Sequence, residues 1–158
     1  MSFSFQKTVG LNNKVAITGD RANQNPTIYD AINFLAGEDG VKVGGFVFRD
    51  PSDETKVVMT GSSVAVVEGF VERVQNVNGF TFDPASMDIT EGENVSVARK
   101  GDFYVEADGA VSVGDKVYTD YETGATTFSS GAKTTDTGFT AKTSAAASGD
   151  MVVISNWK

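Results

Sequence analysis

Apolar and polar residues alternate in short runs along most of the chain, and small turn-forming residues separate these runs. Residues 94–99 (NVSVAR) and 102–107 (DFYVEA) alternate with a period of two, which is typical of strands that bury one face. Glycine-containing turn signals recur between such runs, as at residues 37–40 and 91–94. This pattern predicts a mainly β domain, built as a β-sandwich or as a barrel-like (jelly-roll-like) sheet, rather than alternating strands and helices.

The remaining strands follow from the same alternation and from short apolar runs. The Asp-Gly pair at residues 108–109 is a favoured two-residue turn, so we expect a hairpin that joins residues 102–107 to residues 110–113. Further strands are predicted at residues 41–49, 57–59, 64–75, 116–121 and 151–157.

The N-terminal part of the chain has a different composition. Residues 12–30 (NNKVAITGDRANQNPTIYD) contain four Asn and one Gln but few large apolar residues. Such a stretch contributes little to a hydrophobic core. We therefore predict an extended N-terminal arm over residues 1–35 and a β-rich domain over residues 36–158.

Residues 26–35 (PTIYDAINFL) admit two interpretations. Ile28, Ile32 and Leu35 recur at helical spacing before Gly37, which predicts a short helix within the arm. Several residues of this stretch are weak helix formers, and that composition favours a strand or coil instead. The sequence leaves both interpretations open.

The charge and the missing residue types exclude several classes of function. The 158 residues carry a formal net charge of -8, and an acidic chain is repelled by nucleic-acid phosphates and by anionic lipid. We therefore expect neither a nucleic-acid partner nor a membrane partner. The chain contains no Cys and no His, so it lacks a thiolate nucleophile, soft-metal ligands and the commonest general base.

Two acidic stretches are candidates for chemistry. Glu68 and Glu72 lie four residues apart in one predicted strand, on the face that carries Phe70, and strand alternation makes them a solvated face rather than a glycosidase pair. Residues 50–54 (DPSDE) offer oxygen ligands but lack the spacing of a calcium-binding loop, so we interpret them as an exposed turn. The sequence therefore predicts no enzyme, with no catalytic residues, no cofactor and no metal site.

Several stretches, taken in order, resemble the structural cement (capsid decoration) proteins of tailed bacteriophages. The matching stretches are residues 5–9, 19–26, 36–46, 69–73, 89–92, 95–97, 100–105, 114–118 and 154–157. The order of these stretches, and their extent over nearly the whole chain, carry the resemblance.

Membership of that family would imply a structural protein of the virion, made in the cytoplasm of the bacterial host and located on the outer surface of the capsid. Its partner would be the major capsid protein, whose neighbouring subunits it would bridge and stabilise. It would also associate with itself, as a homo-dimer or homo-trimer on local symmetry axes. Neither catalysis nor a cofactor would be involved.

The resemblance also suggests a use for the N-terminal arm. An extended arm covers much partner surface with few residues, and repeated contacts on an arrayed shell offset its cost of ordering. We expect the capsid contacts to come from three apolar anchors and three polar residues, namely Phe3, Phe5, Ile17, Asn23, Gln24 and Asn25.

A second interpretation is a carbohydrate-binding or host-attachment β module of a phage particle. Such a module would use a row of exposed aromatic residues, whose flat faces suit sugar rings. The candidates for that row are Tyr104, Tyr118 and Tyr121.

Overall fold

The structure, a computed structural model, describes residues 16–73 and 88–157. These residues form fourteen strands, β1 to β14, and no helix. In chain order the strands are Ile28–Tyr29, Phe34–Ala36, Val41–Lys42, Phe46–Arg49, Lys56–Val58, Val67–Val71, Asp88–Ile89, Asn94–Val95, Val97–Lys100, Asp102–Glu106, Lys116–Asp120, Thr126–Thr127, Thr134–Ala141 and Met151–Ser155. The mainly β class predicted from the alternating pattern is confirmed.

The strands pair into three sheets. A seven-stranded sheet has the order β1-β9-β6-β4-β5-β2-β8, and a five-stranded sheet has the order β10-β14-β13-β11-β12. Strands β3 and β7 form a small sheet of their own. The two larger sheets share one hydrophobic cluster, which is the arrangement of a sandwich. Among the described residues the sheets do not close into a barrel.

The seven-stranded sheet is buried on both faces. Phe46 and Phe70 belong to the cluster that faces the five-stranded sheet. Their chain neighbours Val47 and Val71 belong to a second cluster, which includes Ile89 of the small sheet. Because successive residues of a strand point to opposite faces, each of these strands contributes to two cores.

Four buried phenylalanines connect the two larger sheets. Phe70 stacks on Phe103 with ring centroids 4.6 Å apart, and the ring of Phe46 meets Phe70 edge-on at 5.1 Å. Phe139 meets Phe46 edge-on at 5.4 Å. Such pairs contribute about 0.5–1.5 kcal/mol each beyond the area they bury. This aromatic cluster is therefore a main attachment between the sheets.

Two predicted connections differ from the structure. The strand expected at residues 41–49 is divided, because Gly44 adopts a φ of +82°, and its halves β3 and β4 belong to different sheets. The hairpin expected at residues 108–109 does not form, since Val111 instead bridges Ala145. Strand β10 pairs with β14 over five residue pairs, a longer ladder than the short run after the turn could offer.

Residues 26–35 contain no helix. Ile28–Tyr29 pairs with β9 as an edge strand, and Phe34–Ala36 lies between β5 and β8. The strand interpretation is the correct one, because β-branched and aromatic residues fit a pleated surface better than a helix.

The expectation that Glu68 and Glu72 share a solvated face with Phe70 is wrong. The register of β6 against β4 shifts within the strand, and Val67 as well as Phe70 packs against the same core cluster. A bulge of this kind breaks the period-two alternation, so Glu68 lies on the opposite face from Phe70. Glu72 is only 5% exposed.

Candidate functional site

Residues 17–25, the N-terminal segment, run along the outer edge of β10. The backbone N–H of Gly19 donates to the carbonyl of Tyr104 at 2.8 Å, and that of Ala22 donates to the carbonyl of Asp102 at 2.9 Å. Tyr104 N–H in turn donates to the carbonyl of Asp20 at 2.9 Å. The segment therefore covers a sheet edge whose backbone groups would otherwise be exposed.

The same segment also reaches the seven-stranded sheet. Arg73, which follows β6, donates its backbone N–H to the carbonyl of Gly19 at 2.9 Å. Gly44 allows the close approach, because a Cβ at that position would lie 2.3 Å from Cγ2 of Thr18. The N-terminal segment is thus hydrogen-bonded to both larger sheets at once.

Asp102 holds the polar half of the N-terminal segment. Its Oδ2 accepts hydrogen bonds of 2.7 Å from the side-chain amides of both Asn23 and Asn25, although Asp102 is only 7% exposed. Burial raises the pKa of Asp102, but hydrogen bonds from Ser155, Asn25 and Asn23 outweigh it and keep the pKa below its ordinary value. The carboxylate is therefore ionised and fixes the segment to the start of β10.

Glu72 forms a second attachment on the other side of the segment. Its carboxylate accepts hydrogen bonds of 2.5 Å from Nε of Arg21 and from the hydroxyl of Tyr29. Burial raises the pKa of Tyr29, and the hydrogen bond to Glu72 raises it further. Because Glu72 is buried, loss of either partner would leave a carboxylate poorly compensated.

A row of ion pairs lies on the seven-stranded sheet. Arg49 donates two hydrogen bonds to Glu68, at 2.9 and 3.1 Å, and Arg99 pairs with both Glu68 and Asp30. Burial raises the pKa of Asp30, but hydrogen bonds from Arg99, from the backbone of Ile32 and with Glu68 together outweigh it, so the pKa lies below its ordinary value. These four residues neutralise one another and connect β4, β6 and β9 with the residue that follows β1.

The residues expected to contact a capsid are distributed unequally. Ile17 is 47% exposed and Gln24 is also exposed. Asn23 and Asn25 are exposed residues whose amides are engaged with Asp102. The four described residues of this set, Ile17, Asn23, Gln24 and Asn25, thus belong to one short segment. The apolar anchors Phe3 and Phe5 lie outside the described residues.

The three tyrosines of the second interpretation do not form an exposed row. Tyr104 and Tyr118 lie on different strands of the five-stranded sheet, with two strands between them, and both are only partly exposed. Tyr121 is also partly exposed and donates its hydroxyl to the carbonyl of Ala132 at 3.3 Å.

A groove of about 810 Å³ lies beside β4 and β5 of the seven-stranded sheet. Its lining includes the apolar residues Met59 and Val66 and the acidic residues Glu38 and Asp39. Val64 and Val66, on the loop before β6, are 85% and 80% exposed. The sequence did not predict this surface, because residues 64–75 were expected to form one strand. The Gly-Ser-Ser turn at residues 61–63 was the feature that could have indicated a loop there.

No group of three or more acidic residues in the ranges 16–73 and 88–157 is arranged to hold a metal ion. No helix in the same ranges is long and apolar enough to cross a membrane.

Comparisons with known proteins agree with this architecture. The family model described as "Structural cement protein (E217 gp24/Pam3 gp6)" matches residues 5–156. A solved structure described as "The capsid of Myoviridae Phage XM1" contains a chain that is similar over 99% of both chains, with a TM-score of 0.70 and 17% identity; at that identity the likeness shows the fold alone. No curated protein matches. Since the family model covers nearly the whole sequence, the chain belongs to the structural cement protein family of phages.

Proposed function

We propose that this protein binds the outer surface of a phage capsid and bridges neighbouring subunits of the major capsid protein, which stabilises the shell. The family match over residues 5–156 is the observation that carries the proposal. The likeness over 99% of both chains to a chain from a phage capsid structure supports it, because the whole domain, not a fragment of it, has that fold.

The construction of the domain suits a role that depends on contacts rather than on chemistry. Its sheets are joined by a dense aromatic cluster, and its polar contacts fix a segment in place instead of surrounding a reaction site. A preorganised body loses little entropy when it binds. Repetition over the shell would then convert modest contacts into strong retention.

The N-terminal arm is proposed as one of the contact regions. Ile17 and Gln24 are exposed at the start of the described chain, and Phe3 and Phe5 precede them in sequence. The attachment of Asn23 and Asn25 to Asp102 would fix the base of the arm, so that the anchors project from a defined place on the domain. Self-association on local symmetry axes is part of the same proposal.

Quantitative mass spectrometry of purified particles tests the bridging role. We expect this chain at a simple ratio to the major capsid protein, with hundreds of copies in each particle. Particles assembled without it should disrupt at a lower temperature, and adding the purified protein should restore the higher one. A handful of copies per particle, or no rise in the disruption temperature when the purified protein is added, would contradict the proposal.

The arm is tested with the full-length double variant Phe3→Ser/Phe5→Ser, compared with Val113→Ser as a control for an exposed apolar residue elsewhere. The arm variant should bind heads more weakly while its unfolding midpoint stays that of the unchanged protein. Equal binding by the two variants would remove Phe3 and Phe5 from the contact.

A further inference from the structure

The lining of the groove beside β4 and β5 combines apolar and acidic side chains. Its apolar residues include Val58, Met59 and Val66, and its acidic residues include Glu38, Asp39 and Asp50. Its volume of about 810 Å³ is enough for two or three side chains of a partner. The surface is therefore larger and more varied than a gap between two loops.

The apolar part of this surface is unusual in its exposure. Val64 and Val66 are the two most exposed large apolar residues of the described chain, at 85% and 80%. Isolated exposed apolar residues are common, but these two lie on one loop that ends at the groove. Val66 also lines the groove, so the loop places exposed apolar side chains at and beside it, which is a feature of binding sites.

The loop that carries the valines is held in position by the domain. Gly61 N–H donates to the carbonyl of Tyr121 at 2.7 Å, and Ala65 N–H donates to the carbonyl of Ser62 at 2.9 Å. A Cβ on Gly61 would lie 3.0 Å from the Phe48 ring, so the start of the loop rests directly on a core residue. Ordering of this loop on binding would therefore cost little entropy.

The charge of the groove identifies the kind of partner. Arg49 is the cation among the groove residues, and it is already paired with Glu68. Glu38 and Asp39 are exposed and make no ion pair within the described chain. Hydrogen bonds from the Ser52 side chain and backbone hold the pKa of Asp50 below its ordinary value, so that carboxylate is ionised as well. The groove thus keeps an uncompensated negative charge beside its apolar lining residues.

We propose that this groove and the Val64–Val66 loop bind a basic, aliphatic segment of the major capsid protein. A Lys or Arg side chain of that segment would enter between Glu38 and Asp39, and its neighbouring aliphatic residues would cover Val64 and Val66. The proposal rests on the proposed function, because it names the partner surface through which the cement protein would attach. It adds a contact on the domain body to the contact expected from the arm.

Two double variants separate the apolar and the charged halves of the site. Val64→Ser/Val66→Ser removes the exposed apolar surface, and Glu38→Gln/Asp39→Asn removes two charges. Asn is suited to position 39, where φ is +70°, because Asn is among the residues that tolerate this backbone region. The charge control is Glu106→Gln/Asp108→Asn on the five-stranded sheet, which also changes the net charge from -8 to -6. Val113→Ser is the apolar control.

Binding of each full-length variant to expanded heads that were assembled without cement protein is the measurement, made by sedimentation at several salt concentrations. The apolar variant should bind about tenfold or more weakly, since each buried valine is worth about that factor. The charge variant should bind several-fold more weakly and show a weaker dependence on salt. Both controls should bind like the unchanged protein.

Each outcome decides between the proposals. Weaker binding of both groove variants, with unchanged unfolding midpoints, supports the groove. Unchanged binding by the groove variants would overturn it while leaving the cement function intact. Failure of the unchanged protein to bind heads would overturn the cement function itself. If the groove variants instead altered self-association in sedimentation velocity runs without affecting head binding, the occupant would be a second copy, and the proposal would be wrong.

Discussion

The attachment of the N-terminal segment to Asp102 leads to a quantitative prediction for Asp102→Ala. The substitution removes the acceptor of two 2.7 Å hydrogen bonds, from Asn23 and Asn25. Because both Asn residues are exposed, water replaces much of each lost bond, and we assign about 1 kcal/mol to each. Ser155, which is buried, also loses the acceptor of its hydroxyl proton, although its Oγ still accepts from Trp157 N–H; a buried donor left without an acceptor costs about 1–3 kcal/mol.

The free energy of unfolding should therefore fall by about 3–5 kcal/mol, measured as a shift in the urea midpoint at constant slope. Hydrogen exchange locates the effect. The backbone amides of Gly19 and Ala22, which donate to β10, should exchange faster in the variant than those of β13. Asp108→Ala is the matched control, because its carboxylate is exposed and accepts a bond from the partly exposed Thr127; it should change stability by less than about 0.5 kcal/mol.

The reasoning would be refuted if Asp102→Ala and Asp108→Ala had the same stability. It would also be refuted if stability fell while the exchange of Gly19 and Ala22 stayed unchanged, since the energy would then come from another part of the domain.

Three further predictions follow from other features. Because the pKa of Asp102 is lowered in the folded protein, its contribution to stability is present above the unfolded-state pKa of about 3.9 and is lost as the pH falls through the folded-state pKa. The stability difference between the unchanged protein and Asp102→Asn, measured from urea midpoints, should therefore shrink below about pH 4. A constant difference down to about pH 2.5 would contradict this. Phe70→Ala should cost about 3–5 kcal/mol, against about 1 kcal/mol for Phe70→Leu, because Phe70 contacts both Phe103 and Phe46; similar thermal midpoints for the two variants would show that the aromatic cluster adds nothing beyond volume. Gly44→Ala should destabilise the folded protein more than Gly114→Ala does. Both glycines have a positive φ, and an alanine there costs about 1–2 kcal/mol in each case, but of the two only Gly44 lacks space for a Cβ. Equal denaturant midpoints for the two variants would mean that Thr18 moves aside freely.

Local alternation was sufficient to predict several strands. Residues 102–107 and 116–121 alternate clearly, residues 151–157 begin with an apolar run suited to burial on both sides, and the structure places β10, β11 and β14 there. Their partners could not be read in the same way. Strand β10 pairs with β14, nearly fifty residues later in the chain, because burial of a whole sheet face outweighs the local preference of one turn.

The candidate site was less predictable than the fold. Asn23 and Asn25 were recognisable as unusual, but their acceptor Asp102 lies 79 and 77 residues away, and no local pattern links them. Glu68 looked solvated because the bulge in β6 is invisible in the sequence. Glu72 looked solvated because its partners Arg21 and Tyr29 lie 51 and 43 residues away. Val64 looked like the start of a strand, since an apolar run carries no sign of where pairing begins.

The course of the N-terminal segment between the two sheets has a mechanical consequence. Residues 19–22 lie antiparallel to β10, and Arg21 stands opposite Phe103. A pull on residue 16 directed along this strand loads the hydrogen bonds of Gly19, Ala22 and Tyr104 simultaneously, in shear, whereas a pull across the strand would open them one after another. The segment therefore resists tension along the strand with several hydrogen bonds together, and tension across the strand with one bond at a time.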